Sequence, residues 1–155
     1  MMYHKVLVPL DKSQEAARVL DVVKELQVPG AEVILLQVIP PMPALVQGEH
    51  RILGAEREEA ERATAMSHLK SVAAAHIGHS EGWRYAVVVS RSVVQGIVDF
   101  AVREKVDLIA MYTHDRKGLA KLIKGSVAEK VLRNAPRNAP IEVRVFRPRE
   151  LAGRS

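Results

Sequence analysis

The chain has 155 residues, 48% hydrophobic and 26% charged, a balance that suits one globular domain with its own core and excludes a disordered chain. It has no cysteine, which excludes a disulfide framework, a cysteine-ligated zinc site and a thiol nucleophile. The formal net charge of +5 is modest and spread along the chain, so it reads as an arginine-rich surface rather than a nucleic-acid footprint.

The first apolar run is "KVLVPL", residues 5–10, rich in β-branched side chains and cut off by Asp11. It reads as a strand and not as a signal peptide, since no small-residue cleavage site follows it. The longest apolar runs are far too short to cross a bilayer, so no membrane partner and a cytoplasmic location are the expectation. From Ser13, a candidate N-cap, to Gln27, the residues Ala16, Ala17, Leu20, Val23 and Leu26 recur at helical spacing. "VPG" at 28–30 is expected to stop that helix, and "EVILLQVIP" to form a second, buried strand ended by Pro40, Pro41 and Pro43. Residues 39–50 have the composition of a loop.

A charge-laced amphipathic helix is expected from Leu53 to His76, followed by a third strand in "GWRYAVVVS". "SVVQGIVDFAVREK" predicts a helix with Val94, Ile97, Val98, Ala101 and Val102 on one side, and "VDLIAMY" a fourth strand. A basic loop runs from Thr113 to Lys124. Ser126 then caps "VAEKVLRNA", and Glu129 three residues later completes a capping box. "IEVRVF" is the last strand. The tandem "RNAPRNAP" before it reads as a four-residue duplication that lengthens the connection. Residues 148–155 have little to bury and are expected to form a tail outside a single domain of residues 1–147.

Continuous apolar strands alternating with amphipathic helices imply a parallel sheet covered on both faces. The expected fold is therefore α/β, a three-layer sandwich with right-handed crossovers. In such sheets ligands bind beyond the carboxyl ends of the strands, where strand order reverses. The candidates there are Asp11, Val38 and the segment Met111 to Asp115, with His114 in its loop. Gly125, Ser126 and Val127 join them if the loop folds back, because a helix N-terminus offers free N–H groups to a phosphate. Glycine and serine are equally an ordinary helix start with no ligand.

The stretches "KVLVPLDKSQEAARVL" and "DLIAMYTHDRKGLAKLIKGSVAEKVLRNAP" resemble the opening and the C-terminal signature of the universal stress protein family, and the resemblance covers nearly the whole chain. It implies an adenine nucleotide alpha hydrolase-like fold, with a five-stranded parallel sheet in the order 3-2-1-4-5. It implies an adenine nucleotide as ligand, ATP above all, with or without Mg²⁺. The pocket would draw on Pro9, Leu10 and Asp11, on the backbone near Val38, and on Met111 and Tyr112. The phosphates would lie on the loop of His114 and Asp115 and on Gly125, Ser126 and Val127. It implies a stress-response homodimer paired through its last strand, Ile141 to Phe146, and signalling to protein partners not named by the sequence.

Nucleotide-binding members carry Gly, two residues, Gly, nine residues, then Gly-Ser or Gly-Thr. Laid on this chain, Tyr112 and Asp115 replace the first two glycines, while Gly125-Ser126 keeps its place. Asp115 would set a carboxylate against a polyphosphate unless Mg²⁺ bridges them. Tyr112 adds a ring that either fills the ribose or phosphate space, points away, or stacks on a base. Lys117, Lys121 and Lys124 keep the loop cationic, which suits a phosphate and equally a solvated loop. The alternative reading is a member without a nucleotide that works as a protein-interaction dimer.

Other signals carry less. His76 and His79 lie three apart without an acidic partner at metal spacing, and a solvated helix C-terminus accounts for them. No Gly-x-Ser-x-Gly elbow and no paired carboxylates mark a hydrolase. At most slow ATP hydrolysis is expected.

Overall fold

The computed structural model describes residues 3–11, 16–48, 50–76, 83–112, 127–135 and 140–146. The first strand, β1 (Tyr3–Pro9), is followed by a 3-10 turn (Ala16–Arg18), helix α1 (Val19–Leu26) and strand β2 (Gln27–Ile39). A hairpin of β3 (Leu45–Gln47) and β4 (His50–Ile52) leads into α2 (Gly54–His76). Then come β5 (Trp83–Val89), α3 (Val93–Arg103), β6 (Leu108–Tyr112), α4 (Val127–Asn134) and β7 (Glu142–Phe146).

Five strands form one sheet in the order β5-β2-β1-β6-β7, and every printed pairing within it is parallel. Counting only these strands, the order is the expected 3-2-1-4-5. The central strands β1, β2 and β6 bury both faces because alternate side chains meet different helices, while the edge strands β5 and β7 are mostly half-buried. Val6, Val8, Val33 and Leu35 pack with Leu20 and Val23 of α1 and with Leu69 of α2. Leu7, Ile34, Leu36 and Ile109 pack on the other side with Ile97 and Ala101 of α3 and Val131 of α4. Aliphatic strands and alanine-bearing helices fill these two layers, as a chain with few aromatics requires.

Four local expectations need correction. Residues 28–30 do follow the end of a helix, but the chain passes straight into β2, with Gly30 at φ +87. Between Tyr3↔Gln27 and Lys5↔Glu32 the register jumps, so Gly30 lies in a bulge that only a left-handed backbone allows. The segment 39–50 is not all loop, for it contains β3 and leads into β4 around Gly48 at φ +61. Among the described residues the first helix is a 3-10 turn plus eight α-helical residues that end at Leu26 rather than one continuous α-helix to Gln27, and Ser13 lies outside the described residues. On α3, Val102 is 45% exposed while Phe100 is buried. Five residues beyond Ile97 turns the chain 500°, which leaves Val102 about 140° away from it around the axis.

The amino edge of the sheet is stitched by side chains. The Asp107 carboxylate accepts the backbone N–H groups of His4 at 2.8 Å and Lys5 at 3.0 Å. Lys5 lies 3.5 Å from Glu32, Arg84 3.3 Å from Glu104, and Arg84 also meets Glu32. Tyr3 donates its hydroxyl to Glu142 at 2.6 Å, tying β1 to β7 across β6. At the sheet's β5 edge, Arg62 of α2 donates to the Val87 carbonyl at 2.6 Å and covers an acceptor that another strand could use. β7 runs in unbroken register on β6, from Leu108↔Glu142 to Tyr112↔Phe146, after the duplicated connection.

Candidate functional site

At the opposite edge the β1–β6 ladder stops short, and a proline accounts for it. β1 and β2 stay paired up to Pro9↔Leu36, whereas β1 and β6 pair only at Val6↔Leu108 and Leu7↔Ile109. Leu10 donates its N–H to the Leu36 carbonyl of β2 at 2.8 Å. Successive N–H groups of a strand point to opposite neighbours, so the nitrogen of Pro9 faces β6, and proline has no hydrogen to give. The ladder stops there and a crevice opens between β1 and β6. It is also the point at which the strand order reverses, since β1 leads to β2 on one side and β6 lies on the other.

Pro9 is half-buried, Leu10 is buried in the core under α1 and α2, and Asp11 is exposed just beyond the end of β1. The imidazole of His68 on α2 places Nε2 3.3 Å from the Asp11 carbonyl oxygen. A carbonyl only accepts, so this bond requires the tautomer with a proton on Nε2. His68 lies 57 positions from Asp11, and no local pattern in the chain announces the contact.

Val38, near the end of β2, is half-buried and faces α3. A side chain on Gly96 of α3 would come within 3.0 Å of both Val38 and Ser90, so glycine is what brings this helix close to the strand ends. The N-terminus of α3 is closed by its own chain: Ser92 accepts the Gln95 N–H at 3.1 Å, and Ser90 donates to the Ser92 carbonyl at 2.8 Å.

Met111 is buried on the α3/α4 side, so what it can offer at the crevice is backbone. Tyr112 ends β6, half-buried, and packs against the core on the α1/α2 side with Leu10 and Phe146. Its ring therefore extends the core beside the crevice. Val127 opens α4 and is 42% exposed. A helix in a right-handed crossover runs back against the strands, which puts the first turn of α4 at this same edge. The structure thus gathers Pro9, Leu10, Asp11, Val38, Met111, Tyr112 and Val127 at the carboxyl ends. His114, Asp115, Gly125 and Ser126 lie outside the described residues, as do the lysines of the basic loop and His79. The capping box can be followed only at Glu129, which is 2.8 Å from Arg133.

Two further residues emerge here. Gln37, adjacent to Val38, is 5% exposed, and its Oε1 has no hydrogen-bond partner among the described residues. His76 is more than a solvated helix end: its Nδ1 lies 3.5 Å from Asp21 of α1. Among the described residues no group of three or more histidines and carboxylates is placed to hold a metal ion, and no helix is long and apolar enough to cross a membrane.

The model of the Universal stress protein family matches residues 2–139. A universal stress protein of Methanocaldococcus jannaschii is 29% identical over 143 residues, which span 86% of this chain and 78% of that protein. A crystal structure of a universal stress protein in complex with cAMP superposes with a TM-score of 0.64 at 19% identity, covering 95% of this chain and 98% of that one. A universal stress family protein from Burkholderia pseudomallei gives 0.66 at 24%, covering 94% and 96%. The Archaeoglobus fulgidus universal stress protein in complex with dAMP gives 0.52 at 24%, covering 92% and 98%. At these identities the superpositions speak for the fold, while the family match spans most of the sequence. The chain belongs to the universal stress protein family.

Proposed function

We infer that this chain binds an adenine nucleotide, ATP or a relative of it, in the crevice between β1 and β6, and that the bound state alters how it engages protein partners. The observation that carries the reading is the interrupted β1–β6 ladder at Pro9, at the reversal of strand order and beside Asp11. Two structural neighbours that hold cAMP and dAMP support it.

The residues fit such a ligand. The Asp11 carboxylate is an acceptor for ribose hydroxyls or a base amine, and the backbone at Val38 and Met111 can meet the base edge. The start of α4 at Val127, with Gly125 and Ser126 before it in the chain, would take the phosphates. Tyr112 packs on the core beside the crevice. Mg²⁺ would relieve the repulsion between Asp115 and a polyphosphate. A ligand can shift partner binding only by preferring one conformation of the chain, so nucleotide and partner affinities should be coupled. Among the described residues no strand pairs with the outer side of β7, which leaves that side to a second copy in a dimer.

The test is to denature freshly purified protein, identify released small molecules by mass spectrometry, and titrate the emptied protein with Mg-ATP in a calorimeter. Released adenine nucleotide, and binding that Asp11→Ala weakens at least about tenfold, are expected, since a hydrogen bond to a charged group is worth about 1.5–3 kcal/mol. No released nucleotide together with no heat of binding would turn the reading to a protein-interaction dimer.

A further inference from the structure

β5 is the strand at one end of the sheet, and among the described residues no strand pairs with its outer side. The Ser90 N–H, just past the end of β5, points inward and donates to the Ile39 carbonyl of β2 at 3.0 Å. Backbone groups alternate sides along a strand, so those of Tyr85, Val87 and Val89 point outward. From Tyr85 to Val89 the strand reads "YAVVV", with no charge, no proline and no glycine. Such an edge pairs readily with another strand unless something blunts it.

The blunting comes from α2. Ala65, Leu69 and Ala73 are its buried, sheet-facing stripe. Arg62 stands three residues before Ala65 and continues that stripe with a charge in place of an apolar side chain. Its Nη1 donates to the outward Val87 carbonyl at 2.6 Å, and its Nη2 lies 3.3 Å from Glu58, one turn back on the same helix. Val87 is the middle of the three outward residues, so one guanidinium interrupts the whole row. A twofold antiparallel pairing of two such edges needs that carbonyl, because the Val87 of each copy would exchange its N–H and its C=O with the other.

We propose that Arg62 is an autoinhibitory contact: it withholds the β5 edge from strand pairing, and that edge, once released, takes a second copy of the chain through an antiparallel β5–β5 ladder centred on Val87. In that ladder Tyr85 falls opposite Val89 and Arg84 opposite Ser90, so no like charges face each other. Arg84 also meets Glu32 and Glu104 within its own chain. A second copy therefore matches this edge in both its backbone groups and its charges. The surface lies at the far end of the sheet from β7, and β2 and β1 separate it from the crevice.

Arg62→Ala in the full chain tests this. Arg62 is exposed, so the substitution can be carried on the folded helix. Each copy of the wild type must give up a hydrogen bond from a charged donor before β5 can pair. Two copies lose two such bonds, so Arg62→Ala should self-associate about a hundredfold more tightly than the wild type in sedimentation equilibrium. Arg62→Lys, which keeps a charged donor, should fall between the two. Amide hydrogen exchange at rising concentration of Arg62→Ala should show new protection, relative to the wild type, at Tyr85, Val87 and Val89 and none along β7. Sedimentation equal to that of the wild type would overturn the proposal. So would association without protection of those three amides, or equal association of Arg62→Ala and Arg62→Lys.

Discussion

The Nε2 of His68 lies 3.3 Å from the carbonyl oxygen of Asp11, so the middle of α2 holds the turn that follows β1. α2 belongs to the crossover between β2 and β5, whereas Asp11 lies just beyond the end of β1, beside the crevice. The bond makes the position of Asp11 depend on a helix packed across the sheet. A neutral hydrogen bond contributes about 1 kcal/mol net, so His68→Ala should weaken Mg-ATP binding by roughly fivefold. Calorimetry on the two proteins checks this; equal affinities would show that Asp11 is held by its own segment.

Gly96 lets α3 approach the end of β2. A Cβ there would sit 3.0 Å from both Val38 and Ser90, closer than ordinary side-chain contact. Gly96→Val adds two further carbons to that contact, and overpacking of this kind costs about 1–3 kcal/mol. Urea denaturation should show a lower midpoint at unchanged slope. Nucleotide affinity should fall with it, since the relief must come from moving Val38 or Ser90.

Gln37 is a buried polar group amid valine, leucine and isoleucine on the α1/α2 side of the sheet, and its carbonyl oxygen finds no partner among the described residues. A buried acceptor left without a hydrogen bond is destabilising by about 1–3 kcal/mol. Gln37→Met keeps the length of the side chain and removes the orphan. It should raise stability by about 1 kcal/mol in urea titrations and leave nucleotide affinity unchanged. A loss of affinity would mean that the amide serves the neighbouring crevice.

Tyr3 links β1 to β7 through its 2.6 Å bond to Glu142. That bond, then burial, then the negative charge of Glu142, raise the phenol above its ordinary 10.0. The folded state thus binds the tyrosine proton more tightly than the unfolded state. The stabilisation is fully present below about pH 10 and is lost as pH rises through the raised value. Ionised Tyr3 would face a carboxylate inside the sheet edge. Thermal melting compared between the wild type and Tyr3→Phe should show a difference that shrinks above about pH 10. A difference constant through that range would place the whole effect in the packing of the ring.

Much of this fold was legible because single elements announce themselves. The apolar run of β1, the helical spacing of Leu20 and Val23, and the strand "VDLIAMY" each appear where a local pattern puts them. The hairpin at 45–52 was not legible, since three-residue strands with exposed Leu45 and Val46 carry no alternation to read. Gly30 read as a stop, yet glycine serves a bulge as readily as a turn, and the choice depended on pairing with β1. Of the candidate site, Asp11, Val38 and Tyr112 could be placed from the rule for strand ends. His68 could not, because its partner is far away in the chain.

By itself the sequence determined the alternation of strands and helices, the aliphatic core, and the family, since these follow from periodicity and from residues adjacent in the chain. It also contained Pro9, whose missing N–H is a property of that residue alone. The tertiary structure decided which neighbour that missing donor faces, which way the Tyr112 ring packs, and which helix reaches Asp11. Those outcomes depend on strands brought side by side from distant parts of the chain, where a hydrogen bond or a contact exists only once both partners are in place.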